Sequence, residues 1–202
     1  MYIIFMNCGS LELILGCMYS GKTTELIRLM NRYKSVNNNI LAINYKNDTR
    51  YGDDNKIYTH NKDGIDAIHV DDLGAFSEKT FYRGQYEAAE IIFINEGQFF
   101  DNLYEFCIKA VDVDNKTVIV CGLDGDFRRE PFGDMLRLIS VSDKVTRLTA
   151  LCKKCNDGTA GIFTLRTINS SEQTLIGGEE CYMPVCRKHY LVNLDSIVPL
   201  DN

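Results

Sequence analysis

An α/β fold built on a mostly parallel central sheet is what this sequence predicts, and three observations carry it. Short apolar runs alternate with helical patterns through the first two-thirds of the 202 residues. Two of those runs, EIIFIN (90–95) and TVIVCGL (117–123), are almost continuously apolar, as strands buried on both faces must be. Beyond about residue 150 the alternation gives way to CKKC, a glycine pair at 177 and 178, and VCRKH, which marks a second, smaller unit.

In chain order, LELIL (11–15) reads as the first strand and TELIRLMNRYKSV (24–36) as a helix with Leu26, Met30 and Tyr33 on one side. ILAINY (40–45) and IDAIHV (65–70) read as the second and third strands, and NLYEFCIKAV (102–111) as the helix between the two buried runs. Strand, helix and strand at these lengths imply parallel pairing through crossover connections. The division that follows is 1–150 for the sheet domain, 151–192 for the smaller domain and 193–202 for a C-terminal tail.

A net charge of -6 argues against broad contact with a nucleic-acid polymer, which needs a basic face. The N-terminal MYIIFMNCGSLELIL lacks a basic leader and a cleavage site, and no uncharged apolar run reaches the length of a membrane span, so a cytoplasmic chain without membrane attachment is expected. Eight cysteines are many, but Cys8, Cys17, Cys107, Cys121 and Cys181 are scattered, unlike the dense framework of a small disulfide-bonded protein. A reducing compartment with one metal site and several small buried thiols is the reading they favour.

Residues 16–23, GCMYSGKT, fit GxxxxGK[ST] between a strand and a helix, which is the context the motif requires and makes the sheet domain a phosphate-loop fold. Gly16 and Gly21 let the backbone turn its N–H groups inward, and Cys17, Met18, Tyr19 and Ser20 complete the loop around phosphate oxygens. Lys22 can reach the β- and γ-phosphates of a bound nucleotide, and the Thr23 hydroxyl can ligate Mg²⁺. A plain glycine turn with a solvated lysine is the alternative. Glu96, at the end of the apolar run IIFIN, is a carboxylate placed to accept a proton from an attacking hydroxyl. On that stretch alone it could equally be a solvated strand-end glutamate.

The pairs Cys152-x-x-Cys155 and Cys186-x-x-His189 offer three thiolates and an imidazole, a tetrahedral set for structural Zn²⁺. Four protein ligands leave no open position for a catalytic water. A metal there would pin the base of the long excursion between the pairs.

Taken together, GCMYSGKTTEL, DTRYG (48–52), INEGQFF, GLDGDFRREPFG (122–133) and the CxxC and CRKH pairs resemble the type II thymidine kinase family, in its order and across residues 10–190. The resemblance implies phosphoryl transfer from ATP–Mg²⁺ to the 5′-hydroxyl of thymidine. It makes Glu96 the general base, Lys22 the stabiliser of the transferring group, and Arg50, with Asp48 and Thr49 beside it, a support for phosphate charge. Asn95, Glu96, Gly97 and Gln98 flank the nucleotide by the same resemblance. Met18, Phe99, Leu123 and Phe127 line a thymine slot, Gln98 sits beside the base, and Tyr182 closes the slot from the second domain. Phe100 and Phe132 are assigned instead to core packing. EQTLIGGEECY (172–182) becomes a lasso whose backbone, from Gln173 through Thr174, Leu175 and Ile176 to Gly177, reads the base edge. A homotetramer and inhibition by thymidine triphosphate are further implications.

Two positions depart from the family pattern. Asn95 stands where an aspartate is usual, and an amide cannot supply the charge that helps hold Mg²⁺, so weaker Mg²⁺ binding is expected. Asp126 stands where a small or neutral residue is common, and the sequence offers no physical account of it. A kinase that prefers another nucleoside, such as deoxyuridine, and a catalytically silent nucleotide-binding zinc module remain the alternatives. Asn95 favours the second, and the set Lys22, Thr23, Glu96 and Arg50 weighs against it.

Overall fold

The computed structural model describes residues 8–36, 39–47, 56–58, 64–76, 80–170, 172–175 and 180–197, with side chains to 192. Six strands form the central sheet: β1 (Ser10–Gly16), β2 (Ile40–Tyr45), β5 (Ile68–Val70), β6 (Ile91–Ile94), β7 (Thr117–Gly122) and β8 (Lys144–Leu148), in the order β5-β2-β6-β7-β1-β8. Every neighbouring pair in it is parallel. Side chains alternate across it. Leu11, Leu13 and Leu15 of β1 join Ile92, Ile94, Val118 and Val120 in one core, while Ile14 joins Phe93, Ile119 and Cys121 in the other. Because both faces are covered, β6 and β7 carry unbroken apolar runs.

Helix α1 (Lys22–Lys34) covers the second face with Leu26, Ile27, Leu29 and Met30, and Tyr33 packs at its margin. The opposite face is covered by α3 (Leu103–Ile108), through Leu103 and Cys107. A π turn over Lys109–Val113 continues that helix and buries Ala110 and Val111. A short α2 (Arg83–Ala88) lies beside it and buries Tyr86.

Two readings of the sequence are corrected here. IDAIHV is two strands, not one. β4 (Gly64–Asp66) pairs antiparallel with β3 (Lys56–Tyr58) in a separate hairpin, whereas β5 joins the main sheet. The chain divides at Ala67 because the two halves find different partners, which period alone cannot reveal. The sheet also gains β8, with three residues exposed, two half-buried and none buried, as an edge strand beside β1. KVTRL lacks the apolar signal that identifies interior strands.

After β8 come two small hairpins: β9 (Ala150–Leu151) with β10 (Ala160–Gly161), and β11 (Phe163–Arg166) with β12 (Tyr182–Val185). Helix α4 (Arg187–Ile197) follows. Their core is small: Cys152, Leu165, Val185 and Tyr190 are buried, with Phe163 and Met183 against them. Among the described residues, no helix is long and apolar enough to cross a membrane.

Candidate active site

β6, β7 and β1 are neighbours, and the chain leaves them at Ile94, Gly122 and Gly16 along one edge of the sheet. Loops at the carboxyl ends of parallel strands are where such folds bind ligands. A Cβ on Gly16 would run into the carbonyl oxygen of Leu148 on the edge strand, so the phosphate loop leaves β1 through a gap only glycine fits. Gly21 then takes a left-handed φ of 84° and opens α1, which no side chain caps. Uncapped first-turn N–H groups attract anions. Lys22 Nζ and Ser20 Oγ both donate to the Cys17 carbonyl, each at 2.8 Å, which draws the loop together. Tyr19 supplies a further left-handed residue, at φ 64°. The Cys17 thiol, pushed up by burial, donates to the Gly161 carbonyl at 3.2 Å.

At the end of β6, Glu96 sits at φ 56°, a left-handed conformation that strains any residue with a Cβ. Its carboxylate Oε2 accepts from Gln98 Nε2 at 2.6 Å, while Gln98 Oε1 accepts the Leu123 N–H at 3.0 Å. Gln98 is therefore fastened at both ends of its amide. A Cβ on Gly122 would stand 2.6 Å from Gln98 Oε1, so the glycine ending β7 makes room for that bond. Gly97 opens the 3-10 turn Gly97–Phe99, which carries Gln98 and Phe99 toward the same edge. Asn95 donates from Nδ2 to Asn44 Oδ1 at 2.7 Å, and its Oδ1 accepts from Cys121 Sγ at 3.0 Å. The same Oδ1 lies 3.5 Å from Thr23 Oγ1. Asn44 thus turns the amide so that its oxygen faces the phosphate loop.

A narrow, partly open cavity lies beside Glu96. Met18, Gln98, Phe99, Leu123, Phe127, Gln173, Thr174, Leu175 and Tyr182 all line it. Phe100 is fully buried in the sheet core, edge-on to Tyr45. Phe132, by contrast with the expectation of plain core packing, also lines the cavity, edge-on to Phe99 at 5.4 Å. Asp48, Thr49, Arg50, Ile176 and Gly177 lie outside the described residues.

The four metal candidates converge. The Cys155 and Cys186 sulfurs are 3.8 Å apart, and His189 Nδ1 lies 3.5, 3.4 and 3.5 Å from Cys152, Cys155 and Cys186 Sγ. A tetrahedral Zn²⁺ with ordinary bond lengths needs edges of about 3.8 Å between sulfurs and about 3.5 Å from sulfur to nitrogen. The donor set and spacing fit that ion. Burial disfavours ionisation of Cys152, but backbone N–H groups of Cys186 and Cys155 and the His189 ring outweigh it and hold the thiol down at about 6. Burial and the neighbouring Cys152 push Cys155 up to about 11.

Two cavity residues escaped the reading of the sequence. Thr164 Oγ1 accepts the Met18 N–H at 3.0 Å and so joins the phosphate loop to β11. Arg166, two residues on and 7% exposed, stacks 3.6 Å over the Phe127 ring centroid. The signal was there in FTLR: apolar and polar residues alternate, which puts Thr164 and Arg166 on one face of β11 and Phe163 and Leu165 on the other.

Comparison with known proteins points one way. The family model described as "Thymidine kinase" matches residues 9–190. "Thymidine kinase a" of Arabidopsis thaliana is 44% identical over 185 residues, covering 92% of this chain and 76% of the relative. "Thymidine kinase" of Oryza sativa subsp. japonica is 41% identical, covering 91% and 66%. "Thymidine kinase" of Vaccinia virus (strain Western Reserve) is 40% identical over 186 residues, covering 92% of this chain and 99% of the viral protein.

Proposed function

The chain belongs to the thymidine kinase family, and on that premise we propose that it moves the γ-phosphoryl group of ATP to the 5′-hydroxyl of thymidine, giving thymidine monophosphate. The observation that carries the proposal is the meeting, at one sheet edge, of a glycine-bounded loop with Lys22 and a strained, buried carboxylate that faces an aromatic cavity. Glu96 takes the 5′-hydroxyl proton as the oxygen attacks. Gln98, tied to Leu123, keeps the carboxylate aimed. Lys22 leaves the Cys17 carbonyl for the phosphates and steadies the transferring group, with Arg50, Asp48 and Thr49 assisting. Little covalent work falls to the protein, so position and charge stabilisation carry the rate.

Bound with ATP, Mg²⁺ would neutralise charge on the β- and γ-phosphates. Thr23 Oγ1 and Asn95 Oδ1 are the hard oxygen donors that would hold it, directly or through water. Because Asn95 is neutral, that hold is weaker than a carboxylate would make it. The thymine base occupies the cavity between Phe99, Leu123 and Phe127, with backbone groups of 173–177 along its edge. Cys152, Cys155, Cys186 and His189 would hold Zn²⁺ and so shape the 151–192 domain, since four buried apolar residues among those described make a slender core. The domain limits 1–150, 151–192 and 193–202, a homotetramer, a cytoplasmic setting and inhibition by thymidine triphosphate belong to the same proposal.

An ATP-dependent phosphorylation assay across the four deoxynucleosides and deoxyuridine tests it, with Glu96→Gln alongside. Thymidine should be the preferred acceptor, and the variant should lose turnover. A variant as active as the parent removes Glu96 from its role.

A further inference from the structure

One arginine organises most of the segment that crosses the cavity mouth. Arg166 Nη1 donates to the Ser170 carbonyl at 3.0 Å and to the Glu172 carbonyl. Its Nη2 donates to the Gln173 carbonyl at 3.0 Å and to Tyr182 Oη at 2.8 Å, and that hydroxyl donates onward to the Leu175 carbonyl at 2.8 Å. The flat side of the guanidinium rests on Phe127, a wall of the cavity. All four terminal N–H bonds are therefore spent on the carbonyls of Ser170, Glu172 and Gln173, which lie in no strand or helix, and on Tyr182 at the start of β12. A lysine has neither the fork nor the plane to do this.

Asp126 meets the same stretch from the opposite side. Its Oδ1 accepts the backbone N–H groups of Arg128 and Glu130, at 2.8 and 3.0 Å, and closes its own turn. The second oxygen, Oδ2, accepts from Gln173 Nε2 at 3.0 Å, 47 residues away along the chain. The turn needs only the first oxygen, which an asparagine would supply equally well. Gln173 is thus gripped twice, by its carbonyl through Arg166 and by its side chain through Asp126.

We propose that Arg166 and Asp126 are positioning residues that latch Ser170 and residues 172–175 against the cavity at Gln173, and so set affinity for the nucleoside rather than for ATP. This rests on the reading that the cavity takes thymidine. It assigns Asp126 a task that a purely local turn residue would not have.

Gln173 is exposed, so a charge there is compatible with folding. Gln173→Glu sets a carboxylate against Asp126, and like charges at that range repel. Steady-state kinetics should show the thymidine KM rising about tenfold, with the ATP KM within about twofold of the parent. Adding Asp126→Asn restores an amide-to-carboxylate bond, and the thymidine KM should return to within about threefold of the parent. Calorimetric titration of thymidine should follow the same order. Arg166→Lys, which keeps the charge and loses the fork, should also raise the thymidine KM about tenfold. A thymidine KM unmoved by Gln173→Glu, or a double variant no better than the single one, overturns the latch while the parent still phosphorylates thymidine. A parent inert toward thymidine overturns the reading of the cavity, and the latch with it.

Discussion

The two walls of the cavity are held by different means. On one side, Met18, Glu96 and Leu123 follow β1, β6 and β7, and behind them Leu13, Ile92, Phe93 and Val120 are fully buried. On the other, Arg166, Gln173 and Tyr182 stand over a core of four buried residues among those described, and owe their places to hydrogen bonds and a cluster of side chains that could hold a metal. A wall seated on a packed sheet is held by many small contacts that fail together. A wall seated on a few polar links can be released by losing one of them. The proposed function puts chemistry on the first wall and substrate closure on the second, which suits groups that must be preorganised and a cover that must let nucleoside in and out.

The sharpest test of that division is Glu96→Gln. Turnover should fall by about 10²–10⁴-fold while thymidine binding, measured by calorimetry, stays near the parent value. A matching loss of binding would show that the first wall does not separate chemistry from recognition. Next, Ile92→Ala should lower global stability by about 2–5 kcal/mol in urea unfolding, because the side chain is fully buried in a close-packed core. A loss below about 1 kcal/mol would contradict the claim that the packed sheet supports the first wall.

Cys152→Ser removes one of the four clustered side chains and should weaken thymidine binding about tenfold, and ATP binding less. The ATP loss is not zero, because Met18 N–H is held by Thr164 Oγ1 and Cys17 Sγ by the Gly161 carbonyl. Equal losses for both ligands would erase the distinction between the walls. Thr164→Val removes one of those joints and should cost about 1 kcal/mol, seen as a rise of about fivefold in both KM values. The smallest effect belongs to Asn95→Asp. Half-saturation by Mg²⁺ should move down by about threefold, with thymidine KM unchanged, since the carboxylate adds charge beside Thr23 and touches nothing on the second wall.

Interior strands were legible because burial on both faces forces uninterrupted apolar runs, and β2, β6 and β7 fall where those runs lie. The edge strand β8 was not legible, since an exposed edge makes no such demand. Nor was the break at Ala67, since nothing within IDAIHV says that its halves join different sheets. Of the candidate site, the glycine-bounded loop 16–23 and the two ligand-type pairs Cys152/Cys155 and Cys186/His189 could be read from spacing, and the structure brings those four side chains together. Glu96 could be read as a strand-end acid but not as a left-handed, Gln98-bonded one.

Short-range order is what these 202 residues state by themselves: a glycine-bounded loop, a helix that must follow it, and two pairs of ligand-type side chains, each closed over three residues. Spacings of a few residues suffice for that, because the chain between them is too short to do otherwise. The partners that only meet across the fold were settled by tertiary structure: Asn44 turning Asn95, Thr164 joining Met18, and Asp126 facing Gln173. Each pair is dozens of residues apart, and a hydrogen bond between such groups exists only once the packed sheet and the small hairpins have brought their backbones within reach.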